Sequence, residues 1–315
     1  MLWTLVTLFA LYKVITWALS RLRVGDYDSK YVFITGCDSG FGNLLTKRLD
    51  GLGFSVFAAC LTSAGAEKLQ GACSKRVTTL VLDVTDEKSI AAARQFVESR
   101  LPRGRGLWGL VNNAGIGGTP TPLEWMTNDD WTKVLSINLM GVIYVTRAFL
   151  PLVREAHGRV VNIASTLGRI ALPPAPYSVS KYGVEAFSDC LRREVYNQGI
   201  KVCILEPGYF KTDILSSTTL LNNFKKRYDA TPLELRQHYP EYDVQTFAKL
   251  IEGVRDRSSD NLHLVVDANE LALTSRFPPT RQLVGYDVRF FYRLLWNLPA
   301  PLADWLINTI RTKMM

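Results

Sequence analysis

The chain alternates between short apolar runs and longer amphipathic segments over its first two-thirds. Each apolar run is rich in β-branched and aromatic residues, which predicts strands that are buried on both faces and joined by helices. This order predicts an α/β fold, a doubly wound parallel sheet of the Rossmann type with helices on both faces and ligands at the carboxyl ends of the strands. The predicted strands are 31–35, 55–60, 77–82, 107–112, 159–164 and 200–205.

The alternation stops after the sixth predicted strand. Residues 213–260 contain helical patches rich in Leu, Phe and Tyr, and we predict that they form a helical lid over an apolar substrate pocket. A helix at 265–275 and a short strand at 281–284 follow. The last segment, 286–315, is dense in Trp and Leu, and its pattern suits a membrane-surface segment and a buried helix pair equally well.

The N-terminal segment is almost wholly apolar, and Lys13 is its only charged residue before Arg21. Its length approaches the ~20 residues that span a bilayer, and it lacks a small-residue cleavage site, so we predict an uncleaved hydrophobic anchor at 1–20. Lys13 leaves open a helix that lies in the membrane interface. Because Arg21 and Arg23 follow the apolar run, the positive-inside tendency places the domain at 29–315 on the cytosolic side.

The composition excludes several classes of protein. With 315 residues, of which 47% are hydrophobic, the chain can form a large core. Its five cysteines have no CxxC spacing and its three histidines have no metal-ligand spacing, so we predict reduced thiols and no metal site. The net charge of +8 comes from scattered basic residues. An anionic membrane surface is therefore a better partner than nucleic acid.

A glycine-rich turn lies between the first predicted strand and a predicted helix at 43–52. Glycines at such a place let the backbone approach a pyrophosphate, and a helix N-terminus offers unpaired N–H groups. We therefore predict a dinucleotide site here. The predicted contacts are Gly36, Ser39, Gly40, Phe41 and Gly42.

The end of the second strand bears on the type of dinucleotide. An acid for the ribose hydroxyls or a base for a 2′-phosphate commonly stands about 20 positions after the glycines, and residues 60–63 contain neither. Without a basic side chain to bind the 2′-phosphate, the sequence favours NAD over NADP. Asp83, which closes the third strand, is a candidate for binding the adenine amino group, and its alternative role is to cap the helix at 87–98.

Small or polar residues follow the next three strands at the same edge of the sheet. Small side chains there let the chain pass close to the adenine ribose, the two Asn amides can tie neighbouring strands together, and a Ser hydroxyl lies where the ligand is expected. These residues are Asn112, Asn113, Ala114, Gly115, Ser165, Pro207, Gly208 and Thr212.

Three further residues carry candidate chemistry. Asn138 stands within a long predicted helix at 131–150, where it would kink the helix or hold a water, unless it lies on a solvated face. Tyr177 and Lys181 are four residues apart at a helix opening and share one face. A nearby cation is expected to lower the pKa of Tyr177 from about 10, so that it can act as a general base. Taken alone, such a pair is also common on solvated helices.

Taken in order, these motifs resemble those of the short-chain dehydrogenase/reductase family across about 31–212. The residues at 34–42, 182–189 and 206–212 resemble those of the branch of microsomal retinol dehydrogenases and 3α/17β-hydroxysteroid dehydrogenases. At this level the resemblance covers nearly the whole chain. The resemblance implies Tyr177 as general acid/base, Lys181 as its activator and ribose ligand, Ser165 as the substrate-orienting residue, Asn138 as the anchor of a relay water and Thr212 as a nicotinamide contact.

One spacing departs from the family pattern. Ser165 precedes Tyr177 by 12 positions, whereas many members have 13, and that position holds Ala164. A one-residue deletion in the proline-rich loop between them would explain the difference. Ser165 remains the candidate.

We therefore predict NAD-dependent oxidation of a lipophilic alcohol at the endoplasmic reticulum (microsomal) membrane, with retinol to retinal first and a 3α- or 17β-hydroxysteroid as the alternative. Retinoids and steroids are both large and apolar, so pocket composition does not separate them. A membrane-tethered dinucleotide-binding scaffold without catalysis is the alternative of another class, but it would lack part of the Asn, Ser, Tyr and Lys set. The oligomeric state stays open between a monomer and a homodimer.

Overall fold

The computed structural model describes residues 2–314, with side chains described for residues 4–310. Met1 of the predicted anchor and Met315 of the predicted C-terminal segment lie outside the described residues. Seven strands form one parallel sheet in the order β3-β2-β1-β4-β5-β6-β7. They are β1 (Tyr31–Thr35), β2 (Ser55–Cys60), β3 (Val77–Val81), β4 (Gly109–Asn112), β5 (Arg159–Ile163), β6 (Lys201–Pro207) and β7 (Arg281–Val284).

The predicted Rossmann-type fold is therefore confirmed, and the order of strands reverses between β1 and β4. At this switch point neighbouring crossovers leave the sheet in opposite directions, which opens a crevice at the carboxyl edge. The sequence placed β1, β2 and β7 at their observed bounds, and the other strands within two residues at each end.

Helices cover both faces of the sheet. One hydrophobic core lies between the sheet and α2, α3 and α11, and a second lies between the sheet and α4, α6 and α7. The helices are α1 (Leu2–Ser20), α2 (Gly40–Leu52), α3 (Ser63–Gly71), α4 (Glu87–Glu98), α5 (Asn128–Leu135), α6 (Gly141–Glu155), α7 (Ala175–Glu194), α8 (Ser217–Ala230), α9 (Leu233–Gln237), α10 (Val244–Arg257), α11 (His263–Thr274), α12 (Arg293–Leu295) and α13 (Ala300–Met314).

Two helices are notably apolar, and they differ in burial. The continuous helix Asn128–Glu155 is long and apolar enough to cross a membrane. However, Val145 and Phe149 on this helix are fully buried against the sheet, so it is a core helix. Among the side chains described on α1, residues 4–20, the large apolar ones are exposed instead, with Phe9 at 60%.

The chain leaving α1 is fixed to the domain by backbone hydrogen bonds. Val24 N–H donates to Thr274 O at 2.8 Å. In return, Arg276 N–H donates to Leu22 O at 2.7 Å, which completes an antiparallel bridge. We call these two bonds the exit bridge. A cleft of about 1080 Å³ separates α1 from β7 and α11.

A buried arginine supports the same region. Arg159, the first residue of β5, donates from Nη1 to the carbonyl oxygens of Ala272 (3.1 Å), Leu273 (2.6 Å) and Ser275 (3.2 Å). Its guanidinium carbon lies 3.7 Å from the ring centroid of Trp108. Burial lowers the pKa of Arg159 to about 10. The side chain thus satisfies the carbonyl groups at the end of α11, which have no partners within the helix.

The segment after β7 packs on the domain by one side only. Val288 and Leu295 are buried, whereas the exposed apolar side chains include Tyr286, Phe290 and Trp305. The segment is therefore not a buried helix pair.

Candidate active site

The glycine turn between β1 and α2 is shaped by close backbone approach. A Cβ on Gly42 would lie 2.5 Å from Gly36 O, and one on Gly36 would lie 2.8 Å from Ala114 Cα. Gly36 and Gly40 have positive φ values of 69° and 58°. The Ser39 side chain makes no cap hydrogen bond to the first turn of α2, which also lacks an acidic residue. The first-turn N–H groups thus suit a phosphate ligand, and the residues fit a dinucleotide.

Asn112, the last residue of β4, and Asn113, which follows it, make different contacts. Asn113 Nδ2 donates to Thr35 O and Gly36 O, both at 2.9 Å, and so holds the glycine turn against the end of β4. Asn112 is buried, and its Nδ2 donates to Thr146 Oγ1 and Asn162 Oδ1 at 2.8 Å. The Asn112 side chain therefore ties β4 to α6 and β5 within the core, although its Oδ1 has no partner there. Its contact with the cofactor stays a prediction.

Asn138 lies in a π-helical turn, Ser136–Met140, that joins α5 to α6. The side chain is fully buried, so the solvated-face alternative is wrong. Its Oδ1 accepts from Ile116 N–H and its Nδ2 donates to Ile116 O, each at 2.8 Å. Its Nδ2 also lies 3.2 Å from Ser180 Oγ. Asn138 thus holds the chain that follows Gly115, and π-turns of this kind are frequent at functional sites.

Ser165 follows β5 and is brought against Tyr177 despite the short spacing. Its Oγ accepts a hydrogen bond from Leu167 N–H at 3.1 Å, and its hydroxyl lies close enough to the Tyr177 phenol to lower the pKa of Tyr177. Ala164, at the family spacing, has its side chain in a buried apolar cluster. The geometry therefore favours Ser165 over Ala164.

Lys181 and Tyr177 project from the first half of α7. Lys181 Nζ lies 5.6 Å from the Tyr177 ring centroid and donates to Ile163 O, at the end of β5, at 2.8 Å. Burial raises the pKa of Tyr177, while the Ser165 hydrogen bond lowers it. The direction is opposite to the one predicted from the sequence, because the desolvation of the phenolate outweighs the neighbouring groups.

The charge of Lys181 is itself affected by burial. Burial lowers the pKa of Lys181 to about 8, and the charge of Glu185 opposes this shift. Glu185 lies one turn further along α7, where burial and Glu206 raise its pKa against the effect of Arg281. Arg281, from β7, pairs with Glu185, Glu206 and Asp189. A cluster of ion pairs therefore lies one helical turn after Lys181 on α7.

The turn after β6 faces the glycine turn. A Cβ on Gly40 would lie 3.9 Å from Thr212 Cγ2, which places Thr212 across from the predicted pyrophosphate site. Pro207 O accepts from Thr166 Oγ1 at 3.0 Å. The carboxylate of Asp287 approaches Gly208 so closely that a Cβ there would lie 2.1 Å from Asp287 Oδ2.

Asp83 is not a helix cap. Its Oδ1 accepts from the N–H and hydroxyl of Thr85 at 2.8 and 2.7 Å. The N-cap of α4 is Asp86, whose side chain accepts from Lys88 N–H and Ser89 N–H. The alternative role predicted for Asp83 is therefore wrong, and Asp83 stays a candidate for the adenine contact at the carboxyl edge.

Two features of the site were not found from the sequence. Asp38, within the glycine turn, accepts hydrogen bonds from the residues that follow β2. Tyr209 forms a hydrogen bond with Tyr292 of the C-terminal segment, and burial, Tyr292 and Tyr177 all raise the pKa of Tyr209. No local spacing signals either feature, because each joins distant parts of the chain.

The helices α8, α9 and α10 occupy the predicted lid region and have a core of their own. Trp125, from the loop before α5, is at its centre. Its ring lies about 6 Å from four aromatic rings of the lid helices and their linkers, and Arg227 of α8 pairs with Asp130 at 2.6 Å. The four rings belong to Phe224, Tyr228, Tyr239 and Tyr242. The three helices thus rest on the segment between β4 and α5.

Comparison with known proteins agrees with this geometry. A family model described as short chain dehydrogenase matches residues 30–221. The chain belongs to the short-chain dehydrogenase family. Membership makes it an oxidoreductase that acts on a CH–OH group with a dinucleotide cofactor, and leaves the non-catalytic scaffold without support.

The chain is also similar to individual proteins over nearly its full length. It is 49% identical to retinol dehydrogenase 16 of Rattus norvegicus, covering 96% of this chain and 92% of the relative. It is 48% identical to 17-beta-hydroxysteroid dehydrogenase type 6 of Homo sapiens, covering 95% and 94%. Among solved structures, levodione reductase superposes with a TM-score of 0.68 at 27% identity, covering 84% of this chain and 100% of that one.

Proposed function

We propose that this enzyme oxidises a lipophilic alcohol with NAD, and that retinol, converted to retinal, is its first substrate. The observation that carries the proposal is the meeting of Ser165, Tyr177 and Lys181 at the carboxyl edge of the sheet, opposite the glycine turn. The support for retinol is the near full-length similarity to a retinol dehydrogenase.

The reacting groups divide the chemistry between them. NAD, when bound, supplies the hydride acceptor. Tyr177 takes the proton of the substrate hydroxyl, which Ser165 orients through its own hydroxyl. Lys181, whose Nζ is fixed on Ile163 O, faces the Tyr177 ring and stabilises the phenolate. Asn138 positions the Ile116 main chain and anchors a relay water, in the role that the family resemblance implies.

NAD would be held at the carboxyl edge of the sheet. Its phosphates would be held at the N-terminus of α2 by Gly36, Ser39, Gly40, Phe41 and Gly42. Its adenosine would be held by Asp83, Asn112, Asn113, Ala114 and Gly115. Its nicotinamide ribose and ring would be held by Pro207, Gly208 and Thr212, with Tyr177 and Lys181.

The exposed apolar helix α1 supports a membrane anchor at 1–20, with the dehydrogenase domain at 29–315 and the lid at 213–260. We place the enzyme in the endoplasmic reticulum membrane with its domain in the cytosol. The exposed apolar side of 286–315 suits contact with lipid. Such a position brings a lipid-dissolved substrate to the site. The oligomeric state stays open between a monomer and a homodimer.

The test uses the full chain in microsomes, with retinol and NAD, and follows the absorbance of reduced nicotinamide. We expect Tyr177→Phe to lower kcat by about 10²–10⁴-fold, because it removes the acid/base group and keeps the ring. Its affinity for NADH should be unchanged. Tyr182→Phe is the matched control, since Tyr182 lies on the same helix and is 42% exposed. If Tyr177→Phe oxidised retinol as fast as wild type, the mechanism would be refuted.

A 3α- or 17β-hydroxysteroid is the second candidate substrate, because the similarity to a 17-beta-hydroxysteroid dehydrogenase is equally extensive. A competition assay that offers retinol and steroid together, with NAD or NADP, ranks them by kcat/KM. Faster turnover of the steroid would reverse the order proposed here.

A further inference from the structure

Asp38 places a carboxylate at the end of β2 from an unexpected part of the chain. Its Oδ2 accepts from Leu61 N–H at 2.7 Å. Its Oδ1 accepts from Thr62 N–H at 3.1 Å and from Thr62 Oγ1 at 2.8 Å. Residues 60–65 contain no charged side chain. The negative charge that the sequence lacks after β2 is therefore supplied by the glycine turn.

Thr62 and Gly65 hold the Asp38 carboxylate closely at the start of α3. Thr62 Oγ1 also accepts from Gly65 N–H at 3.0 Å, so the same hydroxyl caps α3. A Cβ on Gly65 would lie 2.4 Å from Asp38 Oδ1, so a side chain at that position would clash with the carboxylate. Within the described side chains, 4–310, no Lys or Arg forms an ion pair with Asp38.

The position of this charge bears on the adenosine ribose. In dinucleotide sites of this fold, the residue at the end of β2 meets the ribose 2′-oxygen, which is a hydroxyl in NAD and a phosphate in NADP. An ionised carboxylate has about four acceptor sites, and three are used by Leu61 and Thr62. The remaining site can accept from a hydroxyl, whereas a phosphate there meets a like charge.

We propose that Asp38 determines the cofactor specificity of this enzyme by excluding the 2′-phosphate of NADP from the end of β2. The inference rests on the proposed function, because it concerns the same dinucleotide site. Specificity here arises from repulsion of the wrong ligand rather than from extra contacts with the right one.

The test measures binding, so that it does not depend on the substrate. Fluorescence titration of the full chain in detergent gives the Kd of NADH and of NADPH, and their ratio is the readout. We expect wild type to prefer NADH and Asp38→Asn to lose about tenfold or more of that preference, mainly by tighter binding of NADPH. An unchanged ratio in Asp38→Asn overturns the proposal, as does a wild-type preference for NADPH.

Asp50→Asn is the matched control. Asp50 also accepts a backbone hydrogen bond, with its Oδ2 accepting from Ser74 N–H at 2.7 Å. That bond joins the end of α2 to the segment before β3. This variant should keep the wild-type ratio. A loss of preference equal to that of Asp38→Asn would show that the effect is a general one of charge or stability, and would overturn the proposal.

Ionic strength provides a test without a variant. Added salt screens the repulsion between a carboxylate and a phosphate, so the wild-type preference should decrease between about 0.01 M and 1 M salt. A preference that does not depend on salt contradicts the mechanism, even if Asp38→Asn fails to fold. If NADH binds selectively but no retinol or steroid is oxidised, the proposed function fails and the assignment of Asp38 stands.

Discussion

Asn138 provides a strong test of how the site is held together. Replacing it with Ala removes the two hydrogen bonds to the main chain of Ile116 and the contact with Ser180. The N–H and C=O of Ile116 then lose these partners. Gly115 packs closely against this amide, since a Cβ there would lie only 3.3 Å from Asn138 Oδ1.

The size of the effect follows from these two backbone groups. A buried polar group without a partner costs about 1–3 kcal/mol, so Asn138→Ala should lower the free energy of unfolding by about 2–6 kcal/mol. That is a large share of the roughly 5–15 kcal/mol that stabilises a domain. Because the Gly115–Ile116 chain is also released, we expect weaker binding of NADH.

Urea unfolding of the detergent-solubilised full chain, followed by tryptophan fluorescence, measures the change at constant m-value. Asn269→Ala is the control. Asn269 is equally buried, but its Nδ2 makes one bond within α11, to Val265 O at 2.9 Å, and its Oδ1 has no partner. This variant should lose less than about 1.5 kcal/mol. Equal losses in the two variants would refute the reasoning, because burial rather than the Ile116 bonds would then set the cost.

Three more predictions follow from other parts of the structure. Gly42→Ala should abolish NADH binding in a titration, since its Cβ would lie 2.5 Å from Gly36 O. Because the folded pKa of Lys181 is about 8 and the unfolded one about 10.4, the folded state binds fewer protons between these values. The free energy of unfolding of wild type relative to Lys181→Met should therefore rise with pH across that window in urea titrations, and a flat difference contradicts this. Arg159→Met should lower thermal stability by about 3 kcal/mol or more, because Ala272 O and Ser275 O at the end of α11 lose their donor. A melting temperature like that of wild type would argue against this.

The strands and the order of the site motifs could be predicted because their signals are local. A run of buried β-branched residues predicts a strand wherever it occurs, and the structure has β1, β2 and β7 at the predicted bounds. The chain direction of parallel strands then brings their carboxyl ends to one edge, so the approximate place of Ser165 and Tyr177 followed from their order alone.

Contacts between distant residues could not be predicted in the same way. The sequence showed Asn138 as a polar residue in a helix, but its partner Ile116 is 22 positions away in a loop. Asp38 lies within the glycine turn, but its carboxylate binds Leu61 N–H after the end of β2, 23 positions later. Nothing in the local pattern of either residue distinguishes these pairings from exposure to solvent.

The electrostatic prediction failed for a different reason. Spacing placed a cation beside Tyr177, and the cation is there, 5.6 Å from the ring centroid. The depth of burial, which the sequence does not give, decides the sign, and it raises the pKa of Tyr177 while lowering that of Lys181. As a result, we expect the oxidative rate to increase with pH above neutrality, since the base form of Tyr177 becomes more populated.

The exit bridge also sets the rotational angle of α1 relative to the domain. Because Leu22 and Val24 are hydrogen-bonded to the domain only two and four residues after α1 ends at Ser20, the helix cannot turn about its own axis without breaking those bonds. One residue inserted after Ser20 would turn the helix by about 100° relative to the domain. Lys13, which lines the cleft beside β7, would then point elsewhere. The length of this short connection therefore sets the orientation of α1, and the number of its residues matters more than their identity.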